Sequence, residues 1–320
     1  MKKNVIITVI ITLITVSPVF SQEPDFDIGA LQSTMDDFSG KIAKSLPFNS
    51  TMGLNWSDAY INNFPHFGLG LSLGFTTMDS DSFEDLIKMF NLSLPSFVSG
   101  FGGYPIPGWT AEARLGGFFL PFDIGFKFGY LPIKPSGMEL DYFLIGGDIR
   151  YAVLEETFIL PAISVGVGFN YMSGGFGQTV GQEIRYAYGD GDEYITVGAP
   201  KVGIGWSTSS LDFKAQISKS FIIFTPYLGF GASTGWSKAG YGIKATITGT
   251  DVEAAKEAFE AAGITDLSED GFSSETKVHG WGVRIFGGIS FDIALIKLDL
   301  TCFFNFNNQY GVTLGTRFQF

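Results

Sequence analysis

The sequence predicts an all-β fold: an antiparallel transmembrane β-barrel of ten strands, with twelve strands as the alternative. Apolar residues alternate with small or polar ones in segment after segment, which is the period of a β-strand. The apolar rows are longer than the strands of about 5–6 residues that are usual in soluble proteins. The chain is also poor in charge, with 16% charged residues and a mean hydropathy of +0.23, whereas soluble domains carry about 25% charge.

Composition excludes three classes of protein. The formal net charge of −12 has the wrong sign for a phosphate-binding surface, so we expect no nucleic-acid partner. The only cysteine is Cys302, which excludes a disulfide scaffold. The high content of apolar and aromatic residues excludes a disordered chain.

Residues 1–21 have the pattern of a cleavable signal peptide. A basic start at residues 1–3 precedes an apolar run at residues 5–16, and Ser17-Pro18 breaks that run before a predicted cleavage after Ser21. A membrane anchor is the alternative, but the run is shorter than the roughly 20 apolar residues that a spanning helix needs.

Residues 22–50 form a second predicted unit, an amphipathic helical segment. Its apolar side chains recur at steps of three and four, which is the spacing of one helical face. We expect this segment to act as a plug in or below the barrel lumen, and a helix outside the barrel is the alternative. The candidate plug residues are Ile28, Leu31, Met35, Phe38 and Ile42.

Residues 51–320 carry the barrel pattern. Long outer loops are expected near residues 79–107, 173–200 and 237–276, with short helices at 83–90 and 251–262. Residues 178–200 form a polar hairpin, and the barrel has twelve strands if this hairpin enters the wall. The ten predicted strands lie near residues 66–78, 108–119, 122–131, 140–153, 157–171, 202–218, 221–236, 277–291, 295–306 and 309–320.

Aromatic residues lie near the ends of these strands. Ten strand residues tilted by about 45° span roughly the 25 Å apolar band of a membrane barrel, which aromatic girdles border. The predicted girdle comprises Trp109, Tyr130, Tyr151, Tyr171, Trp281, Tyr310 and Phe320.

The face opposite the apolar rows carries charges that often come in opposite pairs two or four residues apart. In a narrow barrel, these charges must be hydrated or paired. They form either a constriction that selects solutes or a salt-bridge lattice that makes the barrel rigid. The predicted lumen ion network comprises Glu112, Arg114, Asp123, Lys127, Asp148, Arg150, Asp212, Lys214, Arg284, Lys297, Asp299 and Arg317.

The first long loop is unusually apolar. Such a loop folds over the barrel mouth with a small core of its own, rests on lipid, or holds a hydrophobic ligand. The candidate loop site comprises Phe83, Leu86, Ile87, Phe90, Phe97 and Phe101.

We predict no catalytic residues, no metal site and no cofactor. The two histidines, His66 and His279, fall at opposite ends and on opposite faces of the predicted wall, so no His-Ser-Asp cluster is expected. Cys302 falls on an apolar row without a partner, and no zinc-type spacing exists.

The last strand carries a specific resemblance. Tyr310, Val312, Leu314, Phe318 and Phe320 share one face and end the chain on Phe, with Thr316 departing from the apolar row. This pattern resembles the carboxy-terminal signature of Gram-negative outer-membrane β-barrel proteins. The resemblance implies an outer-membrane location, contact with outer-membrane lipid and delivery by the barrel assembly machinery.

An amino-terminal lumenal segment with an apolar outer loop is similar, in part, to the long-chain fatty-acid transporter family of outer-membrane proteins. That family has more strands and a longer chain, and its Asn-Pro-Ala hatch motif is absent here. We therefore expect a narrow or gated channel for passive uptake of small solutes, hydrophobic ones included. The alternative is a closed structural or adhesin-like barrel without transport.

Overall fold

The computed structural model describes residues 28–79, 103–133, 138–179, 184–188, 193–197, 199, 201–244, 247–249 and 272–320. The predicted signal peptide, the apolar loop site at residues 83–101 and the predicted short helices at 83–90 and 251–262 lie outside these residues. No helix among the described residues is long and apolar enough to cross a membrane.

One helix precedes a succession of strands. Their bounds are α1 (Ile28–Asn49), β1 (His66–Asp79), β2 (Gly103–Gly116), β3 (Phe122–Ile133), β4 (Met138–Leu154), β5 (Ala162–Thr179), β6 (Ile184–Tyr188), β7 (Glu193–Val197), β8 (Lys201–Ser218), β9 (Phe224–Lys244), β10 (Ile247–Gly249), β11 (Phe272–Ile293), β12 (Ile296–Asn305) and β13 (Gln309–Gln319).

Ten of these strands close into an antiparallel barrel, in the order β1-β13-β12-β11-β9-β8-β5-β4-β3-β2. The first and last strands close it, with Gly68 opposite Gln319 and Thr76 opposite Gly311. Strands β6, β7 and β10 instead form a separate three-stranded sheet. The ten-strand prediction is therefore confirmed and the twelve-strand alternative is wrong, because the hairpin at residues 178–200 pairs outside the wall.

The two ends of the barrel differ in their connections. At one end, which we call the turn end, neighbouring strands are joined by short turns at residues 117–121, 155–161, 219–223 and 294–295. Strand β1 begins at this end, and strand β13 ends there. At the other, the loop end, the long connections of residues 80–102, 180–200 and 245–271 leave the wall.

Several strands extend further toward the loop end than predicted. Strand β2 begins at Gly103 rather than 108, β5 continues to Thr179, β9 continues to Lys244, and β11 begins at Phe272. The predicted loops 79–107, 173–200 and 237–276 therefore include strand residues. The reason is that the backbone ladder continues where the apolar pattern stops, since main-chain hydrogen bonding does not require alternating side chains.

At the turn end, some strands are shorter than predicted. Strand β2 ends at Gly116 rather than 119, because Gly117 and Phe119 both take positive φ angles, 80° and 58°, in the turn that follows. Strands β5 and β9 begin at Ala162 and Phe224, after turns that occupy their predicted first residues.

The wall is apolar outside and polar inside. Along β12 exposed and buried side chains alternate without a break, as the period of a strand requires. On β1 the outward leucines Leu69, Leu71 and Leu73 are exposed, while Gly68, Gly70 and Gly74 alternate with them. The hydrophobic surface of this protein therefore faces outward along the strands.

Helix α1 lies inside the loop half of the barrel. Phe38, Ile42 and Leu46 are buried and belong to one apolar cluster with inward-facing wall residues. Those wall residues include Met78, Ile106, Tyr142, Leu144, Met172, Trp206, Ala239 and Tyr241. The side chains of Ile28, Leu31 and Met35 lie outside the described part of the chain.

The helix descends from the loop end toward the middle of the barrel. A Cβ atom at Gly40 would lie 4.0 Å from Thr276 near the loop end of β11, whereas the backbone oxygen of Lys44 approaches Gly280 further down the same strand. Residues 50–61 then continue through the lumen to the turn end, where β1 begins at His66. We call residues 28–61 the lumen segment.

Candidate functional site

The site is the lumen itself, formed by the wall ions and the lumen segment. All twelve residues of the predicted ion network are buried, with exposed fractions of 8% or less. They lie on inward-facing positions of β2, β3, β4, β8, β11, β12 and β13.

One group of ions spans neighbouring strands β2, β3 and β4 and reaches β8. Arg114 donates to Asp123 at 2.6 Å and to Asp148 at 2.9 Å. Arg150 binds both carboxylate oxygens of Asp123, at 3.1 and 2.5 Å. Lys214 pairs with Asp148 at 2.5 Å. Three cations therefore share two carboxylates across the wall.

A second group lies between β8, β11, β12 and β13. Arg284 makes a two-pronged contact with Asp212, at 2.5 and 2.9 Å. Arg317 lies 3.0 Å from Asp299, and Lys297 lies 3.5 Å from Asp292. Two-pronged arginine–carboxylate contacts fix orientation as well as charge.

The ion pairs join different strands rather than neighbours in sequence. Glu112 and Arg114, or Asp148 and Arg150, do not pair with each other among the ion pairs of the described residues. Asp123 lies directly opposite Arg150 in the β3–β4 register, where side chains are about 4.5–5.5 Å apart. Other contacts join side chains that are diagonal on neighbouring strands, as for Arg114 and Asp123, or that reach across an intervening strand, as for Arg114 and Asp148.

Cations of the wall also bind the main chain of the lumen segment. Lys127 donates to the backbone oxygens of Ser50 and Met52, at 2.9 and 2.6 Å. Lys214 donates to the oxygen of Leu54 at 2.8 Å, and Arg150 donates to that of Asp58 at 2.7 Å. These bonds satisfy carbonyl groups that have no strand partner inside the lumen.

Gln216 of β8 adds two bonds of the same kind. Its side-chain amide donates to the backbone oxygens of Trp56 and Ser57, at 2.6 and 2.9 Å. Two residues nearer the turn end, the hydroxyl of Ser218 accepts a hydrogen bond from the backbone nitrogen of Ala59 at 2.8 Å. Strand β8 therefore follows the lumen segment down toward the turn end.

Glu112 binds the lumen segment without an ion pair. Its carboxylate accepts from the backbone nitrogen of Leu54 at 2.9 Å and from the indole nitrogen of Trp56 at 2.6 Å. The Trp56 ring lies between two guanidinium groups, 5.4 Å from Arg114 and 4.9 Å from Arg317. Both are within the range of a cation–π contact.

Asp58 is the acid that the lumen segment contributes to the ion network. Lys297 and Arg317 approach its carboxylate to 3.0 and 3.2 Å. Burial of the Asp58 carboxyl opposes its ionisation, but Arg317 and Lys297 outweigh that effect and lower its pKa below the ordinary range. Burial, together with the charge of Asp58, raises the pKa of the neighbouring Tyr60.

Little space remains between the segment and this part of the wall. A cavity of about 10 Å³ lies among Gly53, Asn55, Trp56, Glu112 and Asp299, enough for about one water molecule. The described part of the lumen is therefore filled by protein at this level.

The aromatic residues predicted as girdles lie on the outer surface. Tyr130, Tyr151, Tyr171, Trp281 and Phe320 are exposed, while Trp109 and Tyr310 are partly exposed. Trp109 donates from its indole to the backbone oxygen of Tyr130 at 2.8 Å, which orients the ring along the neighbouring strand.

The two histidines and the cysteine do not meet. His66 is buried at the turn end, 3.6 Å from Asp123. His279 is exposed toward the loop end, hydrogen-bonded to Thr234 and 5.5 Å from the Trp236 ring. Cys302 is exposed on the outer surface.

Sequence analysis missed the central stretch of this site. Residues 51–61 were included in the predicted barrel unit, ahead of its first predicted strand, and their place in the lumen was not foreseen. The one available signal is the mixed run Leu54-Asn55-Trp56-Ser57-Asp58, which follows neither a strand period nor a helix period.

No protein-family model matches the chain. No curated protein matches it either. Among solved structures, it is similar to the outer membrane protease OmpT from Escherichia coli, at 10% identity and a TM-score of 0.43 over 81% of this chain and 99% of that one.

Two further solved structures are similar to this chain. The translocator domain of autotransporter NalP from Neisseria meningitidis is 8% identical, with a TM-score of 0.36 over 91% of this chain and 98% of that one. The monoaromatic hydrocarbon channel CymD is 9% identical, with a TM-score of 0.29 over 87% and 93%. At these values the likeness transfers no activity and no residue role.

Proposed function

We propose that this protein is an outer-membrane β-barrel that works as a gated, narrow channel for small solutes, closed at rest by its own lumen segment. The observation that carries the proposal is that wall cations hold main-chain oxygens of residues 50–58. A segment held by such bonds is seated firmly, and its carboxy-terminal end joins the wall through β1.

The outward apolar rows support the membrane placement. Outward apolar side chains on β1 and β3 are about half exposed, among them Leu73 at 66% and Ile124 at 53%. A closed barrel satisfies every wall strand through its neighbours, as the hydrocarbon of a membrane requires. The carboxy-terminal Phe pattern adds the outer membrane as the specific location.

The two halves of the lumen favour a particular class of solute. In the loop half, the wall presents Tyr142, Leu144, Met172 and Trp206 to the helix. In the turn half, it presents paired ions. Withdrawal of the lumen segment leaves an apolar vestibule above a charged constriction, which suits small hydrophobic or amphipathic solutes.

A disulfide between the segment and the wall tests the gate. The hydroxyl oxygens of Ser50 and Ser210 are 2.7 Å apart, so sulfur atoms in their places are near enough to form a bond of about 2.05 Å after a small shift. In a Cys302→Ser background, the Ser50→Cys/Ser210→Cys variant should lose solute flux in liposome swelling when oxidised and recover it on reduction. Each single cysteine variant is the matched control, since it cannot form the cross-link.

Equal flux in the oxidised and reduced double variant contradicts the gating proposal. A second experiment is deletion of residues 23–46, which removes most of α1 while leaving β1 and the wall. We expect larger single-channel conductance in planar bilayers, because the loop half of the lumen loses its filling. Unchanged conductance after this deletion argues against the plug.

A closed surface-interaction barrel is the second candidate. The small cavity beside Trp56 and the separate sheet of β6, β7 and β10 favour it, since that sheet offers a platform outside the wall. If neither the reduced double variant nor the deletion variant shows solute flux, the result favours the closed barrel over the channel.

A further inference from the structure

The turns of this barrel are apolar at their tips. Three turns each carry three consecutive large apolar residues, at residues 118–120, 158–160 and 221–223. Phe119, Phe158 and Ile222 are fully exposed or nearly so. Exposed apolar surface of this extent is rare on a face that meets water. We call these nine residues the apolar turn ring.

The three turns of the ring join β2 to β3, β4 to β5, and β8 to β9, which are consecutive junctions at the turn end. The rest of the circumference carries the exposed Ile293 and Leu295 of the β11–β12 turn, and Phe320 at the end of β13. Every described junction at the turn end therefore presents an exposed apolar side chain.

Two charged groups at these turns, Lys219 and Glu156, are satisfied within the protein, whereas Glu155 is exposed. Lys219 pairs with Glu156 at 3.4 Å and also donates to the backbone oxygen of Thr157. Glu156 accepts from the backbone nitrogen and the hydroxyl of Ser220, at 2.9 and 3.0 Å. These contacts join the β4–β5 turn to the β8–β9 turn, and they satisfy the charges of Glu156 and Lys219 without water.

We infer that the apolar turn ring lies within the membrane and contacts phospholipid acyl chains of the leaflet at the turn end. From β3 the ring continues the outward apolar row directly, from Leu120 through Phe122 to Ile124, whereas the exposed Glu155 and the ion-paired Lys219 lie between the ring and the ends of β4 and β8. The inference rests on the proposed membrane placement and deepens it, because it sets the depth at which the barrel sits.

The distribution favours lipid over a protein partner. A bilayer surrounds a barrel and meets every junction of its end alike, whereas a docked protein covers one sector. Exposed apolar side chains occur at all five described turn-end junctions: the three apolar turns occupy consecutive junctions, and Ile293, Leu295 and Phe320 occupy the other two. Side chains of Phe and Ile without free charges suit hydrocarbon and offer a water-soluble partner little polar specificity.

A cavity between two of these turns gives an acyl chain a place to bind. It has a volume of about 1070 Å³ and is lined by Phe158, Phe221 and Ile222, by Tyr60 of the lumen segment, and by the paired Glu156 and Lys219. Its volume is slightly above the range of about 300–1,000 Å³ that is usual for small-molecule pockets. An acyl chain in it would contact both the ring and the lumen segment.

Depth-dependent quenching tests the inference. Single cysteines are placed by Ile222→Cys in the ring, Phe126→Cys on an outward row and Lys277→Cys near the loop end, each in a Cys302→Ser background. Each variant is labelled with an environment-sensitive fluorophore and refolded into dioleoylphosphatidylcholine vesicles that contain a phospholipid with a nitroxide on its acyl chain near the headgroup. Phe158→Cys serves as a second ring variant should Ile222→Cys fold poorly.

We expect the nitroxide lipid to quench labels at positions 126 and 222 to a similar extent, and aqueous iodide to quench the label at 277. If the label at 126 responds to the nitroxide while the ring labels respond to iodide, the inference is wrong and the ring faces water. If the label at 126 also responds to iodide alone, the membrane placement itself fails, and the inference fails with it.

Discussion

Arg150 donates a hydrogen bond to the backbone oxygen of Asp58 at 2.7 Å, so a cation of the barrel wall holds the main chain of the segment inside the lumen. The same guanidinium binds Asp123 on the neighbouring strand. One residue therefore joins wall to wall and wall to segment. The acceptor on the segment is a main-chain carbonyl group, which a substitution cannot remove. The contact is therefore tested by changing its donor, Arg150.

Arg150→Ala should lower the free energy of unfolding by about 3–5 kcal/mol, because it breaks a buried ion pair and leaves the Asp58 oxygen without its donor. The measurement is urea unfolding of the refolded barrel in vesicles. Lys277→Ala is the matched control, since Lys277 is 71% exposed and its loss should change stability by no more than about 0.5 kcal/mol. Equal effects of the two changes contradict this role of Arg150.

Gly68→Ala should weaken the seating of the lumen segment. A Cβ atom at Gly68 would lie 2.6 Å from the Trp56 ring, so the ring must move. Overpacking of this kind costs about 1–3 kcal/mol, which urea unfolding measures. Gly205→Ala is the control on another strand, because no atom lies within 4 Å of its added Cβ. A loss of stability from Gly205→Ala as large as that from Gly68→Ala would argue against a specific clash with Trp56.

Phe38→Ala should loosen α1 from the loop half of the lumen. Phe38 is 2% exposed within the apolar cluster, and truncation of a buried Phe costs about 3–5 kcal/mol. We expect a lower urea midpoint and faster proteolysis of the amino-terminal segment. Asp37→Ala on the adjacent position is the control, since the Asp37 side chain is 68% exposed and should leave both readouts unchanged. A stable Phe38→Ala variant would indicate that the turn-half bonds seat the segment without the helix.

Asp58→Asn should destabilise the protein by about 1–3 kcal/mol at neutral pH, since Lys297 and Arg317 each lose a charged partner. The pKa of Asp58 is lowered in the folded protein, so its contribution is complete above the ordinary carboxyl pKa of about 3.9 and is lost as the pH falls through the folded value. The difference in urea midpoint between the native protein and Asp58→Asn should therefore stay constant from about pH 8 to pH 5 and shrink only in stronger acid. A difference that already shrinks between pH 8 and pH 5 contradicts the lowered pKa.

The sequence alone predicted much of the wall. Alternation indicated which side chains of β12 face inward, and it identified the twelve buried ions of the wall network, because the direction of a strand side chain depends on parity alone. It also predicted ten strands, since each apolar row is bounded by turns. Strand ends toward the loop end were less predictable, because the main-chain ladder there outlasts the apolar pattern.

The partners of those ions were decided by the tertiary structure. Alternation places Asp148 inside the barrel, but only the closed order of strands brings it to Arg114 of β2 and Lys214 of β8. The same holds for the lumen segment. Neither the spacing of Phe38 and Ile42 nor the sequence around Trp56 indicates which residues those side chains contact.

The sequence by itself thus determined that the wall is a barrel with an apolar exterior and a charged interior, because that pattern is local and repeats with the strand period. Only the tertiary structure decided that the helix descends from the loop end and that the main chain near Leu54 and Asp58 is held by wall cations. Those contacts join residues that are 92 or more positions apart in the chain, and they exist because closure of the barrel leaves one narrow lumen in which every buried charge and carbonyl group must find a partner.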